Sequence, residues 1–404
     1  MKVSIITHDM AFIQGSNRVT EKLIFGREQF LNAGIELENV YTKDGVINCK
    51  DYKPSTLGKI ELKTSYKNKR RIIELLKKIP IYNTYLGNKW SVNKNLKNDK
   101  RAALSAVKLD DNKTECYLIQ GFYVAYYYLK YRKKSSRAKV IMILHTDRDP
   151  LEQLLLKKRK LIGTKYEKKL RAMFEFALKN ADKVVTICHS ETTYLKENYN
   201  YTSRYIINGI EDVKADKNIE KLSVKNTKLN FVIVATVQYR KGQDLLIDAL
   251  KLLPENYKDK IFLHIIGGGM DEQLISKKII DNSLENCCKM YGPRQDVTEL
   301  LSTMDVFILP TRADTTPISI IEALRAGLPV ISTSVGEIPI MIKDAGIIIE
   351  AKVEDIVQVF KDCIEGKYNL LSMAENARNN YNQFFSLEKM INSYSDLINE
   401  TLYN

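Results

Sequence analysis

The feature that most constrains the fold of this chain is an alternation. Apolar runs of one strand's length are each followed by a segment with helical spacing, and the series occurs twice. The first series opens with a strand at Lys2 to Thr7. A polar loop follows through Gly15, and Ser16 is placed to cap a helix reaching Ala33, with Gly34 beyond its end. Strands are predicted near Leu37 to Tyr41, Tyr117 to Gln120, Lys139 to Leu144, Lys183 to Cys188 and Tyr205 to Ile207. Helices are predicted at Phe122 to Tyr131 and Thr164 to Asn180. In the second series, strands at Leu229 to Ala235, Ile261 to Ile266, Lys289 to Tyr291 and Val306 to Leu309 alternate with helices at Gln243 to Leu253, from Gly269 to Asn282, and at Val297 to Ser302. Continuous apolar strands separated by helices imply parallel sheets covered on both faces, because each crossover must return over the sheet. The fold class is therefore α/β, as two Rossmann-like doubly wound domains.

At 404 residues the chain is long enough for two full cores. The expected division is residues 1–210, a linker at 211–228 rich in Lys, Asp and Asn, a second domain at 229–382 and a terminal helical segment at 383–404. Residues 42–100 have weak periodicity apart from a helical run near Arg71 to Ile79, and are expected to elaborate the first domain. The formal charge of +14 is unevenly placed. Residues 1–210 carry 41 basic against 21 acidic side chains, and the remainder 22 against 28. That asymmetry points one domain at an anionic partner and argues against a uniform nucleic-acid coat. Apolar runs such as Phe231 to Val237 are far too short to span a bilayer, and His8 and Asp9 interrupt the N-terminal apolar run, so a cytoplasmic location is expected. The six cysteines show no metal-ligand spacing and are expected to be reduced thiols.

One stretch of the second series carries more than a fold signal. After the strand ending at Leu309, Asp314 falls in the following loop, and Ile320, Ile321, Ala323 and Leu324 form an apolar helical face. Glu322 lies on the first turns of that helix, Gly327 ends it, and Val330 to Ser332 is the next strand. Ligands of open α/β sheets bind outside the carboxyl ends of strands, and phosphates favour helix N-termini.

This stretch resembles the donor-binding motif of the retaining glycosyltransferases of family four, which have the GT-B fold. Glu322, Ala323, Gly327, Pro329, Val330 and Ile331 match the family pattern, and Asp314 stands where the family has its first Glu. The resemblance implies two domains facing across a cleft, with the C-terminal helix crossing back to a first, acceptor-side domain. It implies Glu322 on the donor ribose, Asp314 on the sugar hydroxyls, and Thr316, Pro317, Ile318 and Ser319 around the donor. The segment Arg240 to Ile247 is similar to the family's Lys-Gly-x-Asp-x-Leu-Ile, which implies that Lys241, with Arg240, stabilises the leaving diphosphate. The family's further cation, five positions earlier, is Thr236 here. Gly292 and Arg294 fall where the family receives the base. Gly15 and Ser16 occupy the place of a Gly-rich loop touching the donor phosphates, and His145 that of a His beside the transferred sugar.

The implied reaction moves a sugar from a nucleotide-sugar donor, expected to be UDP-linked, to a glycan, lipid-linked or polymer acceptor, with retention. No cofactor or metal is expected. Partners are expected to be the donor, the acceptor and an anionic membrane surface facing the basic half, which would place the chain peripherally on the inner face of the cell membrane. Tyr66 to Arg71, Tyr131 to Lys134 and Leu154 to Ile162 mix cations with apolar residues and are the candidate membrane patches. Three competing features weigh less. Asp147-Arg148-Asp149 is a DxD of the kind that holds a divalent metal in other transferases. Gly267 to Gly269 reads as a tight turn rather than a phosphate loop, and Asn208-Gly209 reads as a structural turn. A nucleotide-sugar epimerase and a basic nucleic-acid-binding protein are the alternative functions, although no nucleic-acid module is present.

Overall fold

The computed structural model describes residues 1–10, 16–52, 84–109, 113–213 and 228–403. The chain divides into two compact units, Met1–Ile206 with Met390–Asn404, and Ile207–Lys389. Gly15, the predicted helical run at 71–79, the patch at 66–71 and most of the predicted linker lie outside the described residues.

The first unit holds a seven-stranded sheet: β1 (Lys2–Ile6), β2 (Glu36–Thr42), β3 (Gly45–Asn48), β4 (Cys116–Gln120), β5 (Lys139–Ile143), β6 (Lys183–Thr186) and β7 (Arg204–Tyr205), in the order β3-β2-β1-β4-β5-β6-β7. All neighbours pair in parallel except β2 with β3, which form an antiparallel edge. The second unit holds β8 (Leu229–Val234), β9 (Ile261–Ile266), β10 (Cys288–Gly292), β11 (Val306–Leu309), β12 (Val330–Thr333) and β13 (Gly346–Ile349), in the order β10-β9-β8-β11-β12-β13 and all parallel. Central strands such as β4, β9 and β11 are buried along their whole length, as strands covered on both faces must be. In the second core, Phe231 meets Phe360 of the helix Val353–Ile364 edge-on at 4.8 Å, joining sheet to covering layer.

The predicted strands and the helices at Phe122–Tyr131, Lys165–Asn180 and Gln243–Leu252 are present, most within two residues of their expected limits. Three differences have physical causes. The first helix breaks at Gly26 into Ser16–Phe25 and Arg27–Asn32. A Cβ at Gly26 would lie 2.4 Å from Ile391 of the C-terminal helix, Leu387–Tyr403, which packs directly against that turn. A 25-residue helix, Tyr85–Leu109, occupies the end of the stretch with weak periodicity and runs past it. It buries Asn88, Asp99 and three alanines beside only two large apolar residues, which dilutes its apolar signal. The helix His189–Tyr199, for which no element was expected, follows β6; it buries only Glu191 and Leu195, which leaves little apolar period to read.

Among the described residues, no helix is long and apolar enough to cross a membrane. All six cysteines are free and buried.

Candidate functional site in the second unit

The sheet order of the second unit reverses between β8 and β11, so the loops leaving those two strands diverge at their carboxyl ends. That topological switch point is where an open α/β sheet binds ligands. The loop after β8 ends in a short turn, Tyr239–Lys241, and Gly242 then opens the helix Gln243–Leu252. Gly242 has φ +78, and a Cβ there would lie 2.1 Å from the carbonyl oxygen of Pro310, at the end of β11. Only glycine lets the two loops approach this closely. The motif's Arg-Lys-Gly order is thus a packing requirement as well as a chemical one.

Across this junction the Lys241 ammonium forms an ion pair with Asp314, the loop residue after β11. Both side chains are largely enclosed, with 11% and 14% of their surface exposed. Burial pushes Lys241 below the usual ammonium range, and the facing Asp314 carboxylate opposes that fall. The Arg240 guanidinium donates to the Ala313 carbonyl at 2.6 Å and lies 3.4 Å from the other Asp314 oxygen. Two cations therefore converge on one carboxylate at the switch point.

Arg312, which the sequence did not single out, fixes this arrangement. It makes paired bonds of 2.8 and 2.7 Å to Asp244, in the first turn of the helix Gln243–Leu252, and its guanidinium stacks 3.8 Å above the Tyr239 ring. The far side of the Asp314 loop is held by Gly336. Its φ is +55, and a Cβ would lie 2.4 and 2.5 Å from the carbonyls of Thr315 and Asp314.

Thr316 and Pro317 are buried at the entry to the helix Ile318–Arg325, with Pro317 at its N-cap, and Ile318 and Ser319 form its first turn, partly exposed. Asn208 donates to the Thr316 hydroxyl at 3.0 Å, so the predicted Asn-Gly turn braces the donor-motif loop. Glu322 lies partly exposed on the same helix. Gly292 ends β10 with φ +67, and its carbonyl accepts from the Gly267 amide at 2.9 Å. Arg294 pairs with Asp296 at 2.8 Å, which keeps its guanidinium beside the strand end. Gly267 and Gly269 press against the carbonyls of Ala235 and Val237, in keeping with a tight turn.

In the first unit, His145 follows β5, with its Nε2 2.5 Å from the Gln120 side-chain oxygen, and burial pushes its imidazole down to about 4. It lines a cavity of about 210 Å³ together with Asp99, Gln120, Gly121, Tyr123 and Thr146. Asp99 comes from the helix Tyr85–Leu109 and lies 2.6 Å from His8, just past β1, whose imidazole it raises. Ser16 begins the first helix. The two carboxylates of the DxD are engaged separately, Asp147 by the Ser190 hydroxyl and Asp149 by Arg171 at 2.9 Å. His264 is fully buried between Asn230 and Tyr291 and serves the core.

Residues 214–380 match the model of the family described as glycosyl transferases group 1. The region with the Lys241–Asp314 junction belongs to that family. Amylovoran biosynthesis glycosyltransferase AmsK of Erwinia amylovora is 32% identical over 144 residues, covering 33% of this chain and 34% of its own length. The Escherichia coli UDP-Gal:alpha-D-GlcNAc-diphosphoundecaprenol alpha-1,3-galactosyltransferase is 25% identical over 196 residues, covering 47% and 50%. The chain thus spans about a third to a half of the length of these curated relatives. The crystal structure of Anabaena Alr3699/HepE in complex with UDP shares the GT-B fold across 99% of this chain and 100% of that one, with a TM-score of 0.69 at 15% identity. The group 1 glycosyltransferase region therefore coincides with the second sheet and carries every second-unit residue that the donor motif named.

Proposed function

We propose that the chain is a glycosyltransferase that moves a hexosyl or N-acetylhexosaminyl unit from a UDP-linked donor to a glycan, lipid-linked or polymer acceptor, with retention at the anomeric carbon, in cell-surface polysaccharide or glycoconjugate synthesis. The observation that carries this reading is the Lys241–Asp314 pair, with Arg240 beside it, at the switch point of a group 1 domain. A departing nucleoside diphosphate develops negative charge that a partly desolvated ammonium and a guanidinium stabilise. Asp314 holds Lys241 in place before the donor arrives, so the cation is preorganised at no cost during the reaction. UDP as the nucleotide is supported by a relative named for a UDP-Gal reaction and by the HepE structure with UDP.

In this reading Glu322 holds the ribose, and Gly292 and Arg294 receive the base. Thr316 to Ser319 present backbone amides at a helix start, Asp314 orients the sugar hydroxyls, and Gly15 and Ser16 serve the donor phosphates. His145 is neutral at physiological pH and acts by hydrogen bonding to the sugar rather than as a cation. Retention proceeds by front-face attack, with the acceptor oxygen–carbon bond forming as the phosphate–sugar bond breaks, and the departing phosphate taking the acceptor's proton. The location proposed is cytoplasmic and peripheral on the inner membrane face. Incubation with labelled UDP sugars and candidate acceptors tests the proposal. Transfer to acceptor with the donor's anomeric configuration supports it; an inverted product sinks the front-face step, and epimerised donor without transfer sinks the assignment as a transferase.

A further inference from the structure

The cavity of the first unit has polar groups that the protein itself leaves unpaired. Its volume, about 210 Å³, is several times the roughly 30 Å³ that one water occupies in the liquid. The helix Tyr85–Leu109 supplies Asp99 to its wall, the end of β4 supplies Gln120, and the start of the helix Phe122–Tyr131 supplies Phe122, Tyr123 and Val124.

Gln120 is only 4% exposed. Its side-chain oxygen accepts from the His145 imidazole at 2.5 Å, while its Nε2 has no hydrogen-bond partner among the described residues. The Tyr123 hydroxyl is likewise enclosed and without a partner. Burial holds that phenol well above its ordinary range, so it stays protonated and can donate. Asp99 supplies the wall's carboxylate and is paired with His8 at 2.6 Å, and the Thr146 hydroxyl is committed to Glu191. Phe122, Val124 and Leu144 make the rest of the wall apolar, and no Lys or Arg lines it among the described residues.

Buried donors are rarely left without acceptors, so these two mark where a ligand oxygen belongs. A phosphate or carboxylate would face Asp99 with no lining cation to offset the repulsion. A plain hydroxyl would satisfy a donor but leave the apolar wall uncovered. We propose that this cavity binds the acetamido group of an N-acetylated hexosamine. The amide oxygen accepts from Gln120 Nε2 and the Tyr123 hydroxyl, the amide N–H donates to Asp99, and the methyl packs on Val124 and Leu144. What the sugar does there, as transferred unit or as acceptor, rests on the proposed transferase reading; the pocket's preference for an acetamido group does not.

Saturation-transfer NMR on the full chain with N-acetylglucosamine, glucose and glucuronic acid tests this. The acetamido methyl should take the strongest saturation, glucose should bind roughly tenfold more weakly or less, and glucuronic acid should not bind, because a site built to pair a polar group rejects analogues lacking it. Tyr123→Phe should weaken N-acetylglucosamine by about tenfold while the melting temperature holds or rises, since the variant removes an enclosed hydroxyl that the folded chain leaves unpaired. A hydroxyl that served only packing would leave the sugar's affinity unchanged. Displacement of the free sugar by UDP-N-acetylglucosamine but not by UDP identifies the occupant as the transferred unit, and displacement by neither identifies it as the acceptor. Equal binding of glucose and N-acetylglucosamine, no methyl saturation, or an unaltered affinity in Tyr123→Phe overturns the proposal. Acetamido binding without any sugar transfer would keep the pocket and defeat the transferase reading alone.

Discussion

The Lys241–Asp314 pair illustrates how one substitution acts on two properties. Asp314→Asn keeps the side chain's size but leaves the enclosed ammonium without its carboxylate, so burial lowers Lys241 further. The expected cost in stability is about 3 kcal/mol, measured by urea unfolding, because a largely buried charge is left uncompensated. Lys241→Ala removes the cation itself and should lower turnover about 100-fold or more with the fold retained. Near-normal turnover would remove Lys241 from the mechanism. The histidines set a separate pH dependence. His145 and His264 are both held down to about 4 by burial, below the ordinary 6.5, so the unfolded chain binds protons that the folded chain refuses. Their contribution to stability is complete above about 6.5 and is lost as pH falls toward about 4. His8 works in the opposite sense, because Asp99 raises it and its contribution fades as pH rises. Thermal unfolding should therefore show a fall in melting temperature between pH 6.5 and 4, and His145→Asn should flatten part of that fall. Lys241 and Asp314 were legible from the motif, but Arg312 was not, because nothing in the chain's local pattern marks which loop arginine will meet Asp244 across the switch point.

At the scale of elements, the second series of strands and helices was readable because its apolar periods are uninterrupted. The helix Tyr85–Leu109 was not, because its buried face includes Asn88, Asp99 and small alanines. Asp99 is buried there for a reason that lies elsewhere in the chain, its contact with His8. The same logic applies to the turns. That Gly242 follows Arg-Lys was visible, whereas the need for glycine comes from Pro310, 68 positions away. Gly242→Ala combines a left-handed backbone with a collision against a backbone carbonyl, and should destabilise the second unit by about 2 kcal/mol or more. Urea unfolding of the variant measures it; a change within about 0.5 kcal/mol would mean the two loops are not held together as described.

For the whole molecule, the doubly wound class followed from the alternation alone, and both sheets have the expected parallel pairing apart from the β3 edge. The C-terminal helix lies in the terminal helical segment expected at 383–404, and its residues from Met390 onward belong with the first unit, where Ile391 meets Gly26. The charge asymmetry was equally visible in the sequence. In the proposed donor site, sequence motif and the Lys241–Asp314 geometry coincide within one sheet. Calorimetric titration of UDP into the full chain and into Lys241→Ala tests the central claim most directly, with GDP and ADP as comparisons. The account predicts UDP binding that weakens about tenfold or more on loss of the ammonium while the melting temperature holds; binding of none of the three nucleotides, or equal UDP affinity in both proteins, would contradict it.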